Sequence, residues 1–235
     1  MKKFWGFLLV IVLMTSCGEY QSLLKSNDYN LVYKKAIEYY NKGDYQRAMN
    51  LLDGVRSVFV GQAKAQNIAY YRAFCSYNMK DYQIASDLFK QFIQTYPESS
   101  FAEECLYMMG FCDYKASPKP RLDQQVTEKA IREFQLYLSR YPYSMRKDKV
   151  NTYMDEMRDK LSYKAYLSAK NYYLREHYKA AVISLQNCLK DYPGSKYREE
   201  IMYMLFVSKY QMAVNSVEDK KVERYNNCLL YTSPS

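Results

Sequence analysis

Three tetrapeptides, Tyr96-Pro97-Glu98-Ser99, Tyr141-Pro142-Tyr143-Ser144 and Tyr192-Pro193-Gly194-Ser195, share the pattern Tyr-Pro-x-Ser, and each stands at the same distance from an alanine. Ala85, Ala130 and Ala181 lie 11 residues before their tyrosine, with Phe89, Phe134 or Leu185 four residues after the alanine and Ile93, Leu138 or Leu189 eight after it. That spacing is one apolar face of a helix, and the proline marks its end. A second helix comes before it. Tyr45, Tyr82 and Tyr178 stand three residues before Ala48, Ala85 and Ala181, and Ala36, Ala73 and Ala169 stand 12 residues before the same alanines. Small residues at those points let two helices approach closely. The unit is therefore helix–turn–helix, 37 residues long from Ala36 to Ala73, with Gly110 in the small position of the third copy another 37 residues on. Repeated hairpins of this kind stack, each burying a face its neighbour would leave wet.

The pattern resembles the tetratricopeptide repeat, with a small residue in the first helix, alanine early in the second and proline at its end. The expected fold is all-α, a right-handed helical-repeat solenoid of about five divergent tetratricopeptide repeats. The copies run longer than the usual period of about 34. An insertion, Ala116-Ser117-Pro118-Lys119-Pro120, opens the third hairpin, and 59 residues separate Gly110 from Ala169, with a breaker-free stretch from Met145 to Leu161 read as an extended first helix. A fifth copy begins near Tyr203. With 7 Gly and 6 Pro in 235 residues, the chain lacks the turn residues a barrel or sandwich of this length would need.

Residues 1–16 read as a signal segment. Lys2 and Lys3 precede an apolar run from Phe4 to Met14 that ends in Leu13-Met14-Thr15-Ser16-Cys17. Small residues before a cysteine resemble a bacterial lipobox, in which the chain is cut before Cys17 and that residue carries palmitate-type acyl chains. The alternative is an ordinary signal peptide with an incidental cysteine. Gly18 after the cysteine, and no acidic run following it, favour the periplasmic face of the outer membrane. The expected layout is then a lipidated linker over 17–29, N-terminal repeats one to three over 30–145, C-terminal repeats four and five over 146–228, and a tail over 229–235 that continues no helix pattern.

The compositional anomaly is 28 Tyr against 1 Trp and 1 His. Ten tyrosines take two equivalent places. Tyr33, Tyr70, Tyr107 and Tyr166 stand three residues before the small position, and Tyr40, Tyr77, Tyr114 and Tyr173 four after it; Tyr203 and Tyr210 continue the frame, with Phe206 in the small slot. A spacing of seven puts each pair on one face of its helix. Phe74 and Phe111 follow the small position in copies two and three, whereas Lys170 does so in copy four. Tyr33, Tyr40, Tyr70, Phe74, Tyr77, Tyr107 and Phe111 are therefore the candidate peptide groove. Tyrosine suits one, having large apolar area, few rotamers and a hydroxyl that reaches backbone groups. The alternative is that these rings pack within and between repeats.

Catalytic chemistry is not indicated. A single His, His177, sits in a turn where earlier copies have Asp44 and Asp81, so it reads as a cap or surface residue. No glycine-rich phosphate loop, metal-ligand cluster or Ser/His/Asp set is visible, so no catalytic residue, metal or cofactor is expected and the chain reads as a non-enzyme. A net charge of +9 falls by two with Lys2 and Lys3, and no nucleic-acid partner is expected. Cys75, Cys105, Cys112, Cys188 and Cys228 are an odd set that reads as small buried hydrophobes. Cys75 and Cys112 lie one 37-residue period apart, so a bridge between them is the alternative.

Taken together, Cys17, the three Tyr-Pro-x-Ser ends, the insertion between copies three and four and the segment Ser208-Lys209-Tyr210-Gln211-Met212-Ala213-Val214-Asn215-Ser216 resemble the BamD-like family of outer-membrane protein assembly lipoproteins, over roughly Glu19 to Asn227. The resemblance implies a component of the β-barrel assembly machinery. It implies two partners: unfolded outer-membrane protein precursors, read through a C-terminal strand by the N-terminal repeats, and a BamA-like barrel subunit docked on the C-terminal repeats. Two other readings use the same repeats: a generic periplasmic tetratricopeptide scaffold lipoprotein, and a glycan-binding outer-membrane lipoprotein, which would favour tryptophan platforms.

Overall fold

The computed structural model describes residues 18–229, and every regular element among them is a helix. After a short helical stretch at 18–24 come α1 (Tyr29–Asn41), α2 (Tyr45–Val55), α3 (Ala63–Asn78), α4 (Tyr82–Thr95), α5 (Ala102–Ala116), α6 (Gln125–Arg140), α7 (Lys147–Leu174), α8 (Tyr178–Asp191), α9 (Arg198–Val214) and α10 (Glu218–Leu229). The signal segment, Cys17 and the tail from 230 onward lie outside the described residues. No helix among the described residues is long and apolar enough to cross a membrane.

Local chemistry sets the joints. Asp28 and Asp44 begin α1 and α2, their carboxylates accepting from the backbone N–H of Leu31 at 3.0 Å and Arg47 at 3.2 Å. Three hairpin turns share one backbone shape. Gly43, Lys80 and Glu176 take the left-handed conformation, with φ of 82°, 68° and 59°. The following residues, Asp44, Asp81 and His177, donate their N–H back to the carbonyls of Tyr39, Ser76 and Tyr172. This is a Schellman closure, which satisfies carbonyls that the helix end would otherwise orphan.

The hairpins pair α1 with α2, α3 with α4, α5 with α6, α7 with α8 and α9 with α10. At each of the first four crossings the small residue is fully buried: Ala36, Ala73, Gly110 and Ala169. Gly110 is required rather than merely tolerated. A Cβ there would stand 2.8 Å from Cδ1 of Phe134, inside contact distance of a fully buried ring. The expected extended helix of the fourth copy is α7, unbroken over 28 residues. The fifth copy closes as a hairpin of α9 and α10.

Two compact units divide the chain. Among the described residues, one holds 18–117 together with 129–147, and the other holds 118–128 and 148–229. In the first, Leu51, Leu52, Val55, Ile68 and Cys75 form a core with Ala36 and Ala48, bordered by Tyr33, Tyr39, Tyr40, Tyr45 and Tyr71. In the second, Tyr166 and Ala169 of α7 meet Ala181, Leu185 and Cys188 of α8 and Ile201, Met204 and Leu205 of α9.

Cys75, Cys105, Cys112 and Cys188 are all buried and free, so the alternative bridge between Cys75 and Cys112 is not formed. Burial pushes the thiols of Cys75 and Cys105 up to about 12, which keeps them protonated and inert.

Candidate functional site

The aromatic residues of the first unit form a continuous run of ring contacts. Tyr40 meets Tyr71 at 4.9 Å between centroids, Tyr71 meets Tyr70 at 5.5 Å, and Tyr70 meets Phe74 at 4.5 Å. The run continues through Tyr77 at 6.4 Å, Phe111 at 6.2 Å and Tyr107 at 5.7 Å. Six of the seven candidate residues thus lie in one chain, linked through Tyr71, which the repeat spacing does not single out. Tyr33 stands beside it against Phe59 at 6.1 Å.

The hydroxyls have a separate task. Tyr70 on α3 donates to Glu104 Oε2 on α5 at 2.9 Å, and Tyr166 on α7 donates to Glu200 Oε2 on α9 at 2.7 Å. Each pair is 34 residues apart. Asn67 holds the corresponding place beside Tyr33, its carboxamide opposing the upward push of burial on that phenol. In all three cases the tyrosine three residues before one small position reaches the residue six before the next. Burial, followed by the hydrogen bond to Glu104, pushes the Tyr70 phenol well above its ordinary value. These rungs therefore stitch one hairpin to the next while their rings stay on the face. Lys170, the basic rung of the fourth repeat, is held by the same stitch, its ammonium 2.8 Å from Glu200 Oε1 and 2.8 Å from the Tyr166 hydroxyl.

Where the rings are not covered by the next hairpin they leave a groove of about 530 Å³. It runs between α1, which supplies Tyr33, Lys34, Ile37, Glu38 and Asn41, and α3, which supplies Asn67, Tyr70 and Tyr71, and Phe101 joins them from the start of α5. The walls combine ring faces with two carboxamides and one charge of each sign. Tyr33 and Tyr70 are the candidate rungs that line it. Tyr40, Phe74, Tyr77, Tyr107 and Phe111 continue the aromatic surface but do not line this groove. Burial raises the Tyr40 phenol to about 12, so it stays protonated and can serve as a donor. Tyr107 is nearly buried, with the Arg146 guanidinium over its ring at 4.7 Å. In the fifth hairpin the same frame is exposed: Tyr203 is 63% accessible, and Tyr210 and Phe206 also face solvent.

Two features were not read from the sequence. The first is the serine of each Tyr-Pro-x-Ser turn. Ser99 donates to Gln66 at 2.8 Å, Ser144 donates to Glu103 at 2.7 Å, and Ser195 accepts from Ser162 at 2.7 Å. The partner always stands seven residues before the small position, so each serine ties the end of a hairpin to that hairpin's own first helix. The same Oγ atoms accept from the N–H of Phe101, Arg146 and Tyr197, which starts the next helix. The recurring spacing carried this signal.

The second is a buried ionic cluster. Asp113 on α5 accepts from Ser86 at 3.0 Å and pairs with Lys129 at 2.9 Å, and Lys129 also lies 3.7 Å from Glu133. Burial, reinforced by a hydrogen bond with Asp113, raises the Glu133 carboxyl to about 8. Asp113 follows an apolar run in a helix buried nearly all round, so no periodicity marks it.

His177 stands as the N-cap residue of α8 and its side chain makes no capping bond. No group of His, Cys, Asp and Glu among the described residues is arranged to hold a metal ion.

A family model described as YfiO, outer membrane lipoprotein, matches residues 25–224. No curated protein matches the chain. Among solved structures, one titled MamA AMB-1 is similar over 86% of this chain and 90% of its own, at 12% identity and a TM-score of 0.36, a likeness too distant to carry an argument.

Proposed function

The chain belongs to the YfiO family of outer membrane lipoproteins, and from that premise we propose that it is a non-enzymatic component of the β-barrel assembly machinery. In this reading it is anchored through acylated Cys17 at the periplasmic face of the outer membrane. It holds unfolded barrel precursors and docks on a BamA-like barrel subunit.

The observation that supports this reading is the groove between α1 and α3. A precursor's targeting strand is extended and ends in aromatic side chains, and it brings unpaired backbone amides. The ring faces of Tyr33, Tyr70, Tyr71 and Phe101 suit the first, and the carboxamides of Asn41 and Asn67 suit the second. The glycan-binding reading is not favoured, because the one tryptophan, Trp5, stands in the signal segment. A generic scaffold shares the hairpins but gives no reason for an aromatic groove.

The test uses a synthetic C-terminal barrel peptide. Tyr33→Ala with Tyr71→Ala is expected to weaken binding by about 2 kcal/mol, or roughly 30-fold, while circular dichroism stays helical. Phe111→Ala, outside the groove, should change it little. Equal binding by all variants overturns the groove. Failure of the purified protein to retain the barrel subunit in pull-down overturns the machinery reading. Cys17→Ala should move the protein out of the membrane fraction; unchanged fractionation overturns the anchor.

A further inference from the structure

The three Tyr-Pro-x-Ser turns have one backbone and three different surfaces. In each, the serine N–H bonds the tyrosine carbonyl, at 3.2 Å for Ser99, 3.2 Å for Ser144 and 3.0 Å for Ser195, and the serine carbonyl accepts from the N–H of Ala102, Lys147 or Arg198. The positions that point outward are the one before the serine and the one after it. They hold Glu98 and Ser100 in the second repeat and Gly194 and Lys196 in the fourth. In the third repeat they hold Tyr143, 98% exposed, and Met145, 102% exposed. The fold does not need apolar groups there, since two copies of the same turn are built without them. Among the described residues nothing covers either side chain.

The flanks of this turn are cationic. From Arg140 to Lys147 the segment carries Arg140, Arg146 and Lys147 and no acid. Arg146 is engaged inward by Glu104 at 3.6 Å and by the Tyr107 ring. Arg140 and Lys147 are exposed, Arg140 also donating one guanidinium N–H to the Pro97 carbonyl at 2.9 Å. Two protruding side chains on a tight turn make a tip, not a groove, so they can be buried only by entering something else.

We propose that the Tyr141–Lys147 turn is a second membrane contact, in which Tyr143 and Met145 enter the head-group region of an anionic phospholipid surface while Arg140 and Lys147 meet lipid phosphates. A tyrosine with its ring in the acyl boundary and its hydroxyl at the head groups is at home there. The flanking cations add the attraction that makes a shallow apolar insertion hold. The contact rests on the proposed function only for the protein's place at a membrane. The contact would fix how the first unit faces that surface, which an acyl anchor on a linker does not.

Trp5 precedes Cys17, so a tryptophan placed at the turn is the only one in the processed lipoprotein. The experiment compares lipidated Tyr143→Trp with lipidated Ile84→Trp, an exposed apolar site elsewhere in the first unit. Both are reconstituted in mixed vesicles of phosphatidylethanolamine and anionic phosphatidylglycerol. Bromine-labelled lipid should quench at least half of the Tyr143→Trp emission and leave Ile84→Trp nearly unchanged. Arg140→Glu with Lys147→Glu in the Tyr143→Trp background should abolish most of that quenching. Equal quenching of both tryptophan variants overturns the proposal, because the anchor alone then accounts for it. No quenching until other envelope proteins are added also overturns it, in favour of a protein pocket as the occupant.

Discussion

The phenol of Tyr70 and the carboxylate of Glu104 meet at 2.9 Å across 34 residues of sequence. Glu103, the neighbouring residue, accepts instead from Ser144 at the end of its own hairpin. Two adjacent glutamates in the first turn of α5 thus do different work, one joining hairpins and one closing a hairpin. Both also place negative charge at the positive end of the helix.

Removing either bond should cost stability without changing the fold. Tyr70→Phe keeps the ring and loses only the hydroxyl, with an expected loss of about 1–2 kcal/mol for a partly buried bond to a charged acceptor. Ser144→Ala should cost a similar ~1–2 kcal/mol. Arg146 links the two bonds, its backbone N–H bonding Ser144 Oγ and its guanidinium lying 3.6 Å from Glu104, so the two losses should couple in urea denaturation. Strict additivity, within about 0.5 kcal/mol, would contradict that link.

Gly110 is set by the ring of Phe134. Gly110→Ala should destabilise the first unit by about 1–3 kcal/mol, since the ring is enclosed and cannot yield freely. Phe134→Leu in the same chain should recover part of that loss, whereas Phe134→Leu alone should destabilise. Thermal unfolding of the three variants reads this directly.

The left-handed turn residues differ in their cost. Lys80 and Glu176 hold φ of 68° and 59° with a side chain in place, while Gly43 holds 82° without one. Gly43→Lys should cost about 1 kcal/mol. Lys80→Gly should be neutral to stabilising by up to about 1 kcal/mol, because relief of strain is opposed by the greater freedom of glycine in the unfolded chain. A clear loss on Lys80→Gly would show that the lysine side chain contributes in some other way.

Glu133 makes stability depend on pH. Its carboxyl titrates near 8 when folded against an ordinary value of 4.5. Between those values the folded chain binds the extra proton, so stability falls as pH rises through this window and the loss is complete above it. The cause is burial beside Asp113, with Lys129 and Lys90 opposing it. Asp87 of α4 lies beside Lys129 at 3.9 Å. Glu133→Gln should flatten this slope and leave the protein more stable than the parent at pH 9. A parent whose denaturation midpoint is level from pH 5 to 9 would contradict the assignment.

The sequence alone determined the repeating hairpin, and the reason is steric. A helix crossing with no room for a side chain beyond Cβ has to show a small residue at each recurrence, so Ala36, Ala73, Gly110 and Ala169 are visible as a period. Proline cannot continue a helix, so Pro97, Pro142 and Pro193 are visible as ends. Tyr33, Tyr70 and Tyr166 are legible as one face for the same reason of spacing. Their separation from Asn67, Glu104 and Glu200 was there to be found, but a polar residue on an exposed helix turn has no local mark that distinguishes a partner from a solvated charge. Only the tertiary structure decided which rings stay open. Phe134 and Tyr137 of its own hairpin, with Arg146, cover Tyr107, whereas Tyr33 and Tyr70 are left lining a groove, and that depends on how neighbouring helices pack. It alone also brought Asp113, Lys129 and Glu133 together, because burying a charge is tolerated only where partners from other helices converge on it, and such convergence has no expression along the chain.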